Sequence, residues 1–204
     1  MSVTQAPAPV RPQDASAVET PLRRFIAEYA ESKVAVGAAV LLLILVLLAV
    51  FAPLIAPQNP YDLAQVDVLD SRLRPGEVGF SGMTYWLGSD GAGRDLLSAM
   101  LYGLRISLSV GFLSGLIAMA LGSAVGLVAA YAGGRVDSLV MRIVDLQLSF
   151  PAILVALMLI AVLGKGVDKI IIALVTVQWA YYARTVRGSA LVESQKEYVE
   201  AARC

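Results

Sequence analysis

Between Val34 and Ala56 the chain carries no charged residue and is almost uninterrupted aliphatic sequence. An α-helix needs about 20 apolar residues to cross the hydrocarbon of a bilayer. The stretch therefore predicts a first transmembrane helix, with Pro53 and Pro57 marking its exit.

The whole chain agrees with that start. Its 204 residues are 58% hydrophobic, and 16% are charged. Soluble domains have about 45–50% apolar and about 25% charged residues. Formal net charge is zero, so no global field argues for nucleic acid. There is no histidine, and the one cysteine, Cys204, can form neither a disulfide framework nor a thiolate cluster within one chain. An enzyme is not excluded, but its usual acid–base and metal-binding side chains are missing.

Residues 1–20 are rich in Ala, Pro, Ser and Val and read as a disordered tail. No apolar core for a cleaved signal peptide occurs before Val34. Residues 21–56 form an interfacial segment followed by the first span, and Arg23, Arg24 and Lys33 before it favour a cytoplasmic N-terminus. Residues 57–102 are polar, broken by Pro60, Pro75, Gly76, Gly79 and Gly82, and are placed outside as a loop. Asp62, Asp67, Asp70 and Glu77, interspersed with Arg72 and Arg74, read as solvated. The loop ends in Trp86-Leu-Gly-Ser-Asp-Gly-Ala-Gly-Arg-Asp95. Its glycines lack the strand, helix and lysine context of a nucleotide cradle. Ser89 or Asp90 is expected to cap a helix through Leu96–Gly103.

Residues 103–204 hold three further spans. Ile106–Ala132 carries small residues at every fourth position: Ser107, Gly111 and Gly115, then Ala118, Gly122, Gly126 and Ala130. Such rows let helices approach closely in lipid, as plain packing or as a sliding surface along a path. Gly133-Gly134 ends this span. Arg135–Asp145 is amphipathic, and Arg142 and Asp145 are spaced to pair. Leu146–Leu163 is the third span, which Pro151 should kink. Asp137, Arg142, Asp145 and Pro151 are assigned to a cytoplasmic entrance, where an interfacial salt bridge is the plainer reading. Gly164–Lys169 is an outer turn. Ile170–Ala190 is the fourth span, with Gln178 expected in an interhelical hydrogen bond or, as a second reading, against substrate. Trp179, Tyr181 and Tyr182 form an aromatic belt. Excess Lys and Arg then put both ends inside.

Gly188–Cys204 is rich in helix formers, with Leu191, Tyr198, Val199 and Ala202 on one face. It is a short amphipathic helix outside the membrane. One reading lays it in the headgroups. The other rests on Glu197-Tyr-Val-Glu-Ala-Ala-Arg203, which resembles the start of the EAA loop of bacterial ABC-importer permeases. The decapeptide above resembles the LGTDxxGRD signature of the dipeptide/oligopeptide/nickel group, through Gly88, Asp90, Gly93, Arg94 and Asp95, with Ser89 where Thr is usual. The string from Gly133 to Pro151 resembles the same family. From about Pro21 to Cys204 the chain thus resembles the C-type permease subunit of such an importer.

That resemblance implies an all-α, polytopic transmembrane bundle of the type I ABC-importer permease fold. Four spans are present, and the later helices and the second half of the EAA motif are expected to be missing. It implies a translocation path in a bacterial or archaeal inner membrane. No catalytic, cofactor or metal site is expected in this chain, since ATP and Mg would be bound by a partner. The partners implied are a homologous second permease subunit, two ABC ATPase subunits, an extracytoplasmic solute-binding protein and the lipid bilayer, with no nucleic acid. Glu197, Tyr198, Glu200, Ala201 and Ala202 would seat on the ATPase. Two other classes fit the composition. One is an ion-coupled secondary transporter, for which Asp145 is the one candidate acid and no internal repeat is visible. The other is a membrane-anchored scaffold. Peptides, nickel, glutathione and sugars are all compatible solutes.

Overall fold

The computed structural model describes Ile26 and residues 28–201. The expected disordered tail, Arg23 and Arg24, and Ala202 lie outside the described residues. The chain divides between Leu47 and Leu48 into two units. The first holds most of α1 (Lys33–Val50). Its start is capped by the Ser32 hydroxyl, which accepts from the Ala35 N–H at 3.3 Å. At 18 residues it is about 27 Å long, enough to cross hydrocarbon. The expected span to Ala56 is not continuous. Pro53 lacks an N–H and its ring would clash with the carbonyl four residues back. The helix accordingly stops at Val50, and Pro53 sits in the first turn of a separate one-turn helix, α2 (Ala52–Ile55).

The second unit begins with a loop that is far more organised than a solvated connection. A 3₁₀ turn at Val68–Asp70 is followed by β1 (Glu77–Val78) and β2 (Thr84–Tyr85), paired antiparallel with Glu77 opposite Tyr85. Asp70 is buried, against expectation. Its carboxylate accepts the Phe80 N–H at 2.5 Å and the Tyr85 hydroxyl at 3.0 Å, and its carbonyl accepts the Ser89 hydroxyl. A buried carboxylate is tolerated when it is hydrogen-bonded in this way. Burial, then the neighbouring Asp70, push the Tyr85 phenol up to about 12.

Next comes α3 (Leu96–Ala132), one helix of 37 residues. It starts ten residues before the expected second span, and neither Ser89 nor Asp90 caps it. Asp95 does: its Oδ2 accepts the Ser98 N–H at 2.7 Å and the Ser98 hydroxyl at 2.6 Å. A turn at Gly133 leads into α4 (Gly134–Leu148). The expected kink at Pro151 is a full break. Ser149 and Phe150 leave the helix, and α5 (Ala152–Leu163) sets off at 86° to α4. The residue before a proline is sterically pushed out of the helical region, and the ring blocks the next hydrogen bond. At 12 residues, about 18 Å, α5 cannot cross hydrocarbon alone. α6 (Val167–Ser194) has 28 residues, and α7 (Glu197–Ala201) follows after one turn.

Among the described residues two helices, α1 and α3, are long and apolar enough to span, or three if α4 and α5 count as one bent span. The fourth expected span, Ile170–Ala190, falls within α6, which is not one of these helices. It is long enough, but beyond Val177 it carries Gln178, Tyr181, Tyr182, Arg184 and Arg187.

Within the bundle α3 and α6 pack most tightly. Gly122 lies against the Trp179 carbonyl and Ala183, and Gly126 against Ala183 and Arg187. The numbers rise together, so the two helices run parallel. Ala118, Ala129, Ala173, Ala180 and Ala183 are fully buried. The half of the small-residue row that packs here is Ala118–Gly126. Gly111 and Gly115 have no atom within 4 Å of where a Cβ would stand, and Ser107 is exposed. α4 runs back along α6, with Val144 buried against Ala180 and Ala183. About 55 Å of α3 therefore separates the loop at its start from α7 and the first turn of α4.

Candidate functional site

Two clusters of side chains lie at opposite ends of that rod. At the first, Gly88, Asp90, Gly93, Arg94 and Asp95 each have a structural task. Gly88 and Gly93 adopt φ +83° and +82°, a region that costs a side-chain-bearing residue. A Cβ on Gly88 would stand 2.5 Å from the Leu73 carbonyl, and one on Gly93 would strike the Asp67 carbonyl. The string is therefore threaded directly against the 67–75 backbone. Asp90 Oδ1 accepts the N–H groups of Ala92 and Arg94, at 2.8 and 3.0 Å, and Oδ2 accepts Arg94 Nε at 2.8 Å. Burial works against ionisation of Asp90, but the Arg94 and Ala92 N–H groups and the guanidinium outweigh it and hold the carboxyl below its usual range. Asp95 is wholly buried. Its N–H donates to Gln58 Oε1 at 2.7 Å, and the Gln58 N–H donates to Ser98 Oγ at 3.1 Å. Its second oxygen, Oδ1, has no hydrogen-bond partner among the described residues. Gln58 and Tyr85 were not singled out from the sequence, and Asp70 was read there as solvated. Alternation of polar and glycine residues gives no periodic signal there.

The second cluster gathers α4, α6 and α7. Asp137 and Arg187 meet in a two-pronged pair: Nε donates to Oδ1 at 2.6 Å and the Nη2 group to Oδ2 at 2.5 Å. Asp145 pairs with Arg184 on the same two helices. The expected Arg142–Asp145 pair does not form. Arg142 is exposed and has no ion-pair partner among the described residues, because Asp145 turns toward α6 and Arg142 turns away. The polar contact assigned to Gln178 is made by Gln147 instead. Its amide donates to the Thr176 carbonyl, and its Oε1 accepts Trp179 Nε1 at 3.1 Å. Among the described residues Gln178 has no side-chain hydrogen-bond partner. Pro151 caps the start of α5 and forms the elbow rather than touching these charges.

In α7, Tyr198 is exposed and its hydroxyl bonds to Glu193, which also pairs with Lys196 at 2.8 Å. The Lys196 ammonium first, then the Tyr198 hydroxyl, hold the Glu193 carboxyl below its usual range. Glu197 and Ala201 are exposed, and the Glu200 backbone lies within the helix. The structure thus brings Glu197, Tyr198 and Ala201 onto one exposed turn just past Arg187. Asp137 and Asp145 pair with Arg187 and Arg184 on α6, and Arg142 does not join them. The sequence signal that points to Arg184 and Arg187 is their position one turn apart on α6, facing two acids spaced by about two turns on α4.

Two family models match separate parts of the chain. Residues 122–204 match the family model described as binding-protein-dependent transport system inner membrane component. Residues 20–75 match the N-terminal TM domain of oligopeptide transport permease C. The glutathione transport system permease protein of Pectobacterium atrosepticum is 37% identical over 91% of this chain and 59% of its own length. The di/tripeptide transport system permease protein of Pseudomonas aeruginosa is 35% identical over 90% of this chain and 60% of its own. The dipeptide transport system permease protein of Haemophilus influenzae is 30% identical over 92% and 62%. The chain spans about three-fifths of the length of these curated relatives. With the two models matched in order along it, the chain belongs to the inner-membrane permeases of binding-protein-dependent transport systems, in the group that carries the oligopeptide permease C type of N-terminal segment.

Proposed function

We propose that this chain is part of a permease subunit of an ATP-driven importer for peptides or a related small solute. The observation that supports this reading is the placement of α7 one turn beyond the end of α6. A helix packed backbone-to-backbone on α3 runs to Ser194, and the short helix Glu197–Ala201 that follows it lies where the resemblance puts the ATPase contact. The relatives named for glutathione and for di- and tripeptides favour a peptide-like solute. ATP is then bound and hydrolysed by separate subunits, and a second permease and a solute-binding protein complete the assembly. Glu197, Tyr198, Glu200, Ala201 and Ala202 form the docking turn, and the Gly88–Asp95 module faces the binding protein's side. An ion-coupled carrier is less well supported. Its one candidate acid, Asp145, is matched by Arg184 rather than held free for a proton or sodium ion.

The test is uptake by the full-length subunit, co-expressed with the ATPase, permease and binding-protein genes beside it and reconstituted in liposomes. Solute accumulation that requires ATP and the binding protein is expected. Accumulation driven by a proton or sodium gradient with no ATP would overturn the reading.

The same reading sets the sidedness of the chain, N-terminus in the cytoplasm, with the loop of residues 57–95 outside and Lys196 inside. Single cysteines at Asp67, Glu77 and Lys196 in a Cys204→Ser background report it. An impermeant thiol reagent added to intact cells is expected to label positions 67 and 77 and to spare 196. Labelling at 196 with none at 67 refutes this orientation.

A further inference from the structure

We propose that Asp137 and Arg187 are a positioning pair that makes α4 travel with the docking turn, so that ATP-driven movement of α7 reaches the elbow at Pro151. This rests on the importer reading above. Arg187 stands where three helices meet. Its backbone nitrogen is 3.1 Å from the point a Cβ on Gly126 would occupy, so α6 is held to α3 at that residue. Its guanidinium grips Asp137, in the first turn of α4, through two parallel bonds. Bidentate geometry fixes orientation as well as distance.

The pair is also the most enclosed of the ion pairs joining two helices among the described residues. The side chains of Arg187 and Asp137 are 30% and 18% exposed, against 50% and 60% for Arg184 and Asp145. Exposed pairs contribute little, so the enclosed one is the better candidate to fix α4.

The other polar ties of α4 to α6 lie toward its far end, in the more exposed Asp145–Arg184 pair and the Gln147 hydrogen bonds to Thr176 and Trp179, so the first turn is held by Asp137. α4 joins α3 through consecutive glycines, Gly133 and Gly134, at φ +59° and +52°, and no other atom lies within 4 Å of either Cβ position. That junction is a hinge. Along α6 the one fully buried side chain of α4 is Val144, against the smooth alanines 180 and 183. An apolar contact of this kind slides, whereas a two-pronged ion pair does not. α6 is unbroken to Ser194, about 10 Å beyond Arg187, and α7 follows after one turn, tied back to α6 by the Tyr198–Glu193 hydrogen bond. A displacement of α7 thus carries Arg187, and Arg187 carries Asp137. Because α4 ends at the elbow, α5 is re-aimed with it. Packed helices switch by such rigid-body shifts.

The experiment uses the full-length importer with its partner subunits in liposomes. Asp137→Asn keeps the shape and removes the charge. The exchange of Asp137→Arg with Arg187→Asp restores a pair of opposite polarity. Three quantities are read: assembly with the ATPase, basal ATP hydrolysis, and solute moved per ATP when binding protein is present. For Asp137→Asn, assembly and basal hydrolysis are expected within about twofold of the parent, while solute per ATP falls about tenfold, a typical size for coupling between sites. The exchange is expected to recover most of that loss, where Asp137→Arg alone does not. An unchanged ratio for Asp137→Asn overturns the proposal, as does loss of assembly in step with transport, which is what a merely structural pair would give. So does an exchange no better than Asp137→Arg alone. If the parent shows no ATP-driven uptake, the importer reading itself falls and this proposal with it. A transporting parent with an indifferent Asp137→Asn removes the positioning role alone.

Discussion

Gly126→Leu is expected to strip the chain of its stable helix pair. The first carbon of the new side chain would stand 2.5 Å from the Ala183 carbonyl oxygen, 3.1 Å from the Arg187 nitrogen and 3.2 Å from the Ala183 carbonyl carbon. All three are backbone atoms of α6, so no rotamer change relieves the clash. The helices must separate along the whole contact that Ala118, Ala129, Ala173, Ala180 and Ala183 now close. In lipid no hydrophobic gain compensates for the opened gap, because the tails are as apolar as leucine. Overpacking by a methylene or two costs about 1–3 kcal/mol, and leucine adds four carbons, so about 3 kcal/mol or more is expected. That shifts the folded fraction by about 100-fold at 1.4 kcal/mol per tenfold. Membrane abundance and protease resistance should both collapse. The control is Gly111→Leu, on the same helix with no atom within 4 Å. Equal abundance and resistance for the two variants would show that the close approach of α3 and α6 does not exist.

Ala201→Arg is expected to abolish transport while leaving the chain inserted. Ala201 is exposed at the end of α7, outside the apolar segments, so nothing in the bundle resists a longer side chain there. On an ATPase surface the same arginine would be buried without a partner. Leaving one charge unpaired in a contact costs about 3–5 kcal/mol, enough to weaken docking by more than about 100-fold. Membrane abundance should match the parent, while ATPase co-purification and uptake fall together. Lys196→Ala serves as the comparison. Its pair with Glu193 is half exposed on both sides, so its loss should cost no more than about 1 kcal/mol. A variant Ala201→Arg that is abundant, binds the ATPase and transports at the parent rate would sink the docking assignment.

The elements themselves were largely legible, for a simple reason. Apolar runs without charge report burial in lipid directly, so Val34 onward, Ile106–Ala132 and the apolar start of α6 could be placed from composition alone. Their ends were misjudged where one residue acts through geometry. The first helix stops at Val50, ahead of Pro53, rather than running to Ala56, Pro151 breaks its helix rather than bending it, and Asp95 rather than Ser89 or Asp90 caps α3. Several residues could satisfy a cap rule from the sequence, and the choice is made by which one the Gln58 and Ser98 hydrogen bonds hold in place.

The pairings were not legible in the same way. Arg142 and Asp145 obey the one-turn rule on their own helix, yet Asp145 pairs with Arg184. Gln178 is the polar residue inside an apolar run, yet Gln147 makes the bonds between helices. Asp70 lies among other charges and is nevertheless buried under Tyr85. In each case local spacing lists the candidates, and the approach of a second segment chooses among them. The amino-acid sequence by itself determined that this chain is a membrane helix bundle of the binding-protein-dependent permease family, because hydropathy and short motifs are properties of contiguous residues. The tertiary structure alone decided which half of the small-residue row packs, which acid meets which arginine, and that the Pro151 region is an 86° elbow. Those outcomes depend on the register of α3, α4 and α6 against one another, and register is fixed by contacts between residues far apart in the chain.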